Sequence, residues 1–205
     1  GHSRVHVIEN GYADPMPLPE KKDLNTPLRI VYAGSLNFQT RPEIFARACK
    51  ELARQDPQAA SDLQVDFFGP QGYYSSLFLK PQLSQVAEFK GYRSFSGLMD
   101  SLTGYDMALA STKGNISFTS KVYHYLNAGL SVFGVFDNPG LGDFILKNQI
   151  GMVSSLRTED IVAQLKVLLA NKERILGWRE NVLKIREQYA LTAKVNIITH
   201  LLKEM

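Results

Sequence analysis

The feature that most limits what this chain can fold into is a repeated switch of hydrophobic period. Short continuous apolar runs alternate, from end to end, with longer stretches whose apolar residues recur every three or four positions. Runs of the first kind suit strands buried on both faces; stretches of the second kind suit helices with one buried stripe. The alternation predicts an α/β domain: a Rossmann-like, doubly wound parallel sheet in a three-layer α/β/α arrangement, with extra C-terminal helices. The 205 residues suit a single domain over 4–205. Gly1-His2-Ser3 reads as a cloning remnant, and a chain without an initiator methionine is expected to be cut from a longer protein.

The predicted strands are Val5–Ile8, closed by the Asn10-Gly11 turn, then Leu28–Ala33, Leu63–Phe68, Val86–Phe89, Met107–Ala110, Leu130–Phe136 and Ile150–Val153. Asp14–Pro27, with four prolines and no period, reads as a surface loop. Thr40-Arg41-Pro42-Glu43 has capping-box spacing and opens a helix to Gln55. Tyr73–Gln85 predicts a helix broken near Pro81, and Ser94 caps a helix carrying Leu98, Met99 and Leu102. Thr119–Ala128 predicts a helix ended by Gly129, and a short helix starts around Asp143. Thr158 is expected to cap a helix whose buried face is Ile161, Val162, Leu165, Leu168 and Leu169; helices over 172–188 and 192–204 follow.

In such sheets ligands bind outside the carboxyl ends of the strands. Gly34, Gly69 and Gly91 each close a predicted strand. Any one of them alone reads as a turn or packing glycine; three in register point to a ligand crevice. Several chemistries are absent from the sequence. No G-x-G-x-x-G follows a strand, and there is no G-x-x-x-x-G-K-[ST], no G-x-S-x-G and no H-E-x-x-H. One cysteine, Cys49, excludes a disulfide framework or a thiolate cluster within the chain. His2, His6, His124 and His200 lack metal-ligand spacing, so no metal and no cofactor is expected. With 23 basic against 20 acidic residues, no nucleic-acid partner is indicated. No apolar run approaches the ~20 residues of a spanning helix, and a cytoplasmic protein is expected.

The segment Phe118-Thr119-Ser120-Lys121-Val122-Tyr123-His124-Tyr125-Leu126-Asn127-Ala128-Gly129-Leu130-Ser131-Val132 resembles a signature of GT-B glycosyltransferases of the retaining, nucleotide-sugar-dependent group. Asn10-Gly11, Val31-Tyr32-Ala33-Gly34 and Phe89-Lys90-Gly91 resemble, in order, the opening turn, first strand with glycine loop, and base-side turn of that family's C-terminal domain. The resemblance implies the donor-binding half of an enzyme that moves a sugar from a nucleoside diphosphate (UDP, GDP or ADP) to a glycan, lipid-linked or small-molecule acceptor. The acceptor would sit mainly on an N-terminal domain outside this chain, so the chain alone would bind the nucleotide weakly and transfer nothing. The full-length protein would work at or near the inner face of a membrane.

The physics of the signature block stands beside the family. A helix start offers unpaired N–H groups and a positive dipole end, which suit a phosphate. Thr119 and Ser120 add hydroxyls and Lys121 adds charge. The resemblance makes these three the phosphate contacts; the residues alone equally allow a capped helix with a solvated lysine. Where the family carries an arginine after the glycine, this chain has Ser35. Arg41, the one base in that loop, either supplies a second charge or is a first-turn surface residue. His124 stands where the family's glutamate accepts bonds from the ribose, and Ile116 where another often faces the donor sugar. His124 is a weaker, pH-dependent acceptor, or a helix histidine with no ligand. Tyr92 flanks the base or is a rim aromatic.

Two other functions remain open at this stage. One is a non-catalytic relative, a partner or scaffold subunit, which Ser35, Ile116 and His124 favour. The other is a nucleotide-sugar epimerase on the same scaffold. The last helix would cross toward the other domain, leaving Val195, Ile197, Ile198, Leu201 and Leu202 partly exposed and able to drive self-association.

Overall fold

The computed structural model describes residues 10–13, 15–18, 23–114, 120–137 and 139–203, without the side chains of 201–203. Six strands form one sheet: β1 (Leu28–Ala33), β2 (Leu63–Phe68), β3 (Ala87–Gly91), β4 (Met107–Thr112), β5 (Ser131–Phe136) and β6 (Gly151–Ser154). All neighbours are parallel, in the order β3-β2-β1-β4-β5-β6. Helices α1 (Pro42–Gln55), α2 (Pro57–Ser61), α3 (Phe95–Leu102), α4 (Ser120–Asn127), α5 (Pro139–Lys147), α6 (Thr158–Ala170), α7 (Arg174–Arg186) and α8 (Leu191–Lys203) accompany the sheet, with short helical turns at Ser75–Leu79, Lys80–Gln82 and Glu187–Tyr189. The predicted strand Val5–Ile8 lies outside the described residues. This is the Rossmann-like α/β arrangement, and β1 and β4 lie side by side where the strand order reverses.

Strand residues divide between two cores because successive side chains point to opposite faces. Ile30 and Tyr32 of β1, Val65 and Phe67 of β2, Leu109 of β4 and Phe133 of β5 join α1 and α6 on one face. Val31 and Ala33, Ala108 and Ala110, and Val132 join α3, α4 and α7 on the other. Phe45 meets Phe133 edge to face at 5.1 Å, both fully buried; each such burial is worth about 1.5–3 kcal/mol.

The small Ala33, Ala108 and Ala110 let α4 approach the sheet closely. Tyr125 uses that closeness: its hydroxyl accepts from Ala33 N at 3.1 Å and can donate to the carbonyl of Ala33 at 3.2 Å or of Leu109 at 3.3 Å. The second turn of α4 is thereby tied to the end of β1 and the middle of β4. At the other end of α4, Gly129 takes φ +66°, and an added Cβ would stand 2.7 Å from Leu18 Cδ1 and 2.8 Å from Arg179 Nη1.

Several local expectations are corrected. Thr40 and Glu43 form no capping box: the residue before α1 is Arg41, in the left-handed region at φ 42°, with no side-chain cap. Thr40 instead donates to the Ser35 carbonyl at 2.9 Å, and Glu43 turns to Arg41 and Tyr74. Thr158 is the first residue of α6, not its cap. Over the stretch read as one helix broken at Pro81 there is a π-helical turn, Ser75–Leu79, then a 3₁₀ turn, Lys80–Gln82, with Pro81 in an early position that needs no amide donor. Helix α5 begins at Pro139, before Asp143. Ser94 does cap α3, accepting from Gly97 N.

Candidate functional site

The carboxyl ends of the strands gather most of the predicted residues. Gly34 follows β1, Gly69 follows β2 and Gly91 ends β3; the Gly34 amide donates to Phe68 O at 3.1 Å and the Gly69 amide to Gly91 O at 3.0 Å. The three glycines are therefore neighbours in register, with different jobs. Gly34 has φ +137°, and a Cβ there would lie 2.9 Å from both Cε and Nζ of Lys121. A Cβ on Gly69 would lie 2.6 Å from the Gly34 carbonyl oxygen and 2.8 Å from Leu36 Cγ, so its missing side chain lets the first loop settle on the sheet. Gly91 has φ +76° with open space around it.

Lys121, in the first turn of α4, reaches across the sheet to β1. Its Nζ donates to the Tyr32 hydroxyl at 2.9 Å and lies 4.4 Å from the centre of the Tyr32 ring. The Tyr32 hydroxyl in turn donates a hydrogen bond to the Ser35 carbonyl, which also accepts from Thr40. No carboxylate pairs with Lys121 among the described residues. Burial pushes its ammonium down to about 8 and pushes the Tyr32 phenol up, so Tyr32 stays neutral and can accept the lysine's bond. A cation is thus held over the backbone of a strand-end glycine, at the reversal point of the sheet. That geometry suits an anion.

The other predicted residues spread around this crest. Ser120 is exposed at the first position of α4; Thr119 and Ile116 lie outside the described residues. Ser35 is exposed and contributes its carbonyl, not a charge. Arg41 is paired rather than free: its Nε donates to Glu43 Oε1 at 2.9 Å, and Glu43 is buried and also bonded by the Tyr74 hydroxyl. Tyr92 is exposed after β3, two strand spacings, about 10 Å, from β1.

His124, one turn beyond Lys121 on a neighbouring part of the same helix face, packs toward α3. The Phe95 ring meets it edge-on at 5.2 Å, its Nδ1 is buried with no hydrogen-bond partner among the described residues, and burial pushes its pKa down. It lines a cavity of about 600 Å³ together with Tyr12, Met16, Phe95 and Met99. Neither Gly34 nor Lys121 lines that cavity. We place the phosphate-binding candidate at the crest, because an unpaired cation selects an anion more strongly than an apolar hollow does.

Two participants were not singled out by the sequence. Tyr32 sits within an apolar strand and reads as core; the only hint is a hydroxyl two residues before a strand-end glycine. Arg93 is exposed, stacks its guanidinium 4.8 Å above the centre of Phe68 and adds positive charge beside Tyr92. Among the described residues no three His, Cys, Asp or Glu side chains gather into a metal-binding group.

No family model and no curated protein matches the sequence. Solved structures match its fold. A structure of a GtfA/B complex aligns with a TM-score of 0.74 at 18% identity, over 95% of this chain and 39% of that one. HepE from Anabaena, solved in complex with UDP, aligns with a TM-score of 0.70 at 13% identity, over 88% and 50%. A glycosyltransferase from Rickettsia africae aligns with a TM-score of 0.69 at 14% identity, over 97% and 56%. The chain spans between about two fifths and a little over half of these longer chains. At such identities the likeness establishes architecture: a Rossmann-like α/β domain with a parallel sheet. In each of the three aligned structures this architecture is one part of a longer chain.

Proposed function

We propose that this chain is the donor-binding half of a glycosyltransferase, and that the crest of Gly34, Ser120 and Lys121 receives the diphosphate of a nucleoside diphosphate sugar. The observation carrying this reading is the half-buried Lys121 ammonium, with no carboxylate partner among the described residues and laid against Gly34 by the Tyr32 hydroxyl. A desolvated cation without a counter-charge is costly, and an incoming diphosphate supplies that charge. The first amides of α4 add donors on the same side. In the transfer step the diphosphate leaves carrying extra negative charge, which Lys121 and these amides would stabilise. Arg93, Tyr92 and His124 would flank the nucleoside. A second domain would carry a glycan, lipid-linked or small-molecule acceptor, and the sugar moved would be a hexose. HepE is solved with UDP, which makes UDP the first nucleotide to try.

Titration calorimetry with UDP, GDP and ADP tests the reading. One nucleotide is expected to bind, and Lys121→Gln is expected to weaken it at least tenfold. Failure of all three, or equal binding by the variant, ends it. A second reading, a non-catalytic partner subunit on the same fold, is favoured by Arg41 being committed to Glu43 and by the unpartnered His124 Nδ1. That reading predicts no heat with any nucleotide.

A further inference from the structure

His124 presents a hydrogen, not a lone pair, to the cavity between α3 and α4. Its Nδ1 is buried with no hydrogen-bond partner among the described residues; Nε2 is likewise unbonded there but is not buried. Burial pushes the pKa of the ring down, so at neutral pH the imidazole is uncharged and carries one hydrogen. A hydrogen on Nδ1 would be shut away from any acceptor, whereas on Nε2 it can be met by water or a ligand. The hydrogen therefore sits on Nε2, and His124 offers one donor and no acceptor. The rest of the wall adds few free acceptors. The Tyr12 hydroxyl donates to the Arg186 carbonyl, the Thr103 hydroxyl to the Asp100 carbonyl, and the Asn127 side-chain oxygen accepts from the Met16 amide. Met16, Phe95 and Met99 are apolar. One carboxylate lines the cavity, that of Asp100, and it stands exposed on α3 one helical turn from the exposed Ser96.

We propose that this cavity takes the pentose of the donor nucleotide without reading a 2′-hydroxyl, so that 2′-deoxyribonucleoside diphosphate sugars are accepted at least as readily as their ribose counterparts. The inference rests on the donor reading above. Lys121 and His124 are three positions apart on α4 and so are neighbours along the helix, which leaves the nucleoside of a diphosphate held at the first beside the second. The adjacent 2′- and 3′-hydroxyls of ribose bring two hydrogens that need acceptors. A carboxylate at position 124 could accept both; the Nε2–H of His124 accepts neither. Asp100, on the open rim, can take the 3′-hydroxyl that both pentoses carry. A 2′-hydroxyl laid against Phe95 and Met99 loses its water and gains no acceptor. A site that makes no bond to a hydroxyl has no means of rejecting the analogue that lacks it.

Calorimetry with three matched pairs, UDP with dUDP, GDP with dGDP and ADP with dADP, tests it. In the pair that binds, the deoxy member is expected to bind as tightly as the ribose member or more tightly. His124→Glu is expected to reverse the order and favour the ribonucleotide at least tenfold, while Asp100→Asn weakens both members alike. Melting curves check folding; if His124→Glu does not fold, His124→Gln decides, since its side-chain oxygen supplies one acceptor and should raise the ribonucleotide preference several-fold. Nitrogen-15 spectra of the ligand-free, histidine-labelled chain read the tautomer without any nucleotide, and a bare Nδ1 with a protonated Nε2 is expected for His124. A deoxy member bound tenfold or more weakly, an order unmoved by the His124 variants, or a hydrogen found on Nδ1 overturns the proposal and leaves donor binding standing. No heat from any of the six nucleotides ends both.

Discussion

Lys121 holds a charge where little water reaches it, and its protonation should therefore govern ligand affinity. Its pKa falls from an ordinary 10.5 to about 8 on folding. On the proposed reading diphosphate binding needs the ammonium, so UDP affinity is expected to fall as pH rises through about 8, with proton uptake visible as a buffer-dependent heat in calorimetry. Lys121→Gln should show a flat profile through the same range. Stability runs the other way. Between about 8 and 10.5 the unfolded state holds more protons at this residue than the folded state, so this residue's contribution to stability rises with pH across that window and is least favourable below it. Thermal unfolding of wild type against Lys121→Gln in the ligand-free state should show the difference shrinking with rising pH. Gly34→Ala is a sharper perturbation. Its φ of +137° and the 2.9 Å contact with Lys121 predict about 1–3 kcal/mol lost in chemical denaturation together with weakened UDP binding. The lysine and the glycine were legible as site candidates, since a strand-end glycine and a basic first helical turn are local patterns. Tyr32, which joins them, was not, because no periodicity tells a buried tyrosine's hydroxyl where to point.

Helix α4 is positioned by a single hydroxyl as much as by packing. Tyr125→Phe keeps the ring in its core but removes the bonds to Ala33 and Leu109. Leaving those buried groups short of a partner should cost about 1–3 kcal/mol, read as a melting temperature lower by several degrees. Loss of nucleotide affinity should accompany it, because α4 carries Ser120 and Lys121. The strands and most helices were readable from hydrophobic period alone. Helix starts were less so. Thr40 and Glu43 have the right spacing for a reciprocal cap, yet the Ser35 carbonyl and the pair Arg41 and Tyr74 compete for them and prevail. The turn at Ser75–Leu79 escaped because Tyr73, Tyr74 and Phe78 follow the aromatic cluster with Phe38 and not a regular helical stripe. Ser94 was legible because its hydroxyl serves the local Gly97 amide, three residues on, as the spacing predicts. Ser94→Ala should cost about 1 kcal/mol by chemical denaturation.

At the scale of the molecule, α8 stands apart from both cores. Val195, Ile197 and Ile198 are exposed, as the sequence led one to expect, while Leu201 and Leu202 have no described side chains. Its links to the rest include two near its start, where the Leu191 amide donates to Tyr12 O and Lys194 covers the Tyr189 ring. Ending the chain after Ala190 should therefore shift the melting temperature little while making the protein more monodisperse in sedimentation velocity. The bare Cα of Gly69 reaches further than its own position. It sets how low the loop after β1 can sink, and the height of that loop sets where the Lys121 ammonium stands. A methyl group added at this one point, a layer beneath the crest, would raise the whole platform and, on the reading proposed above, weaken its hold on a diphosphate.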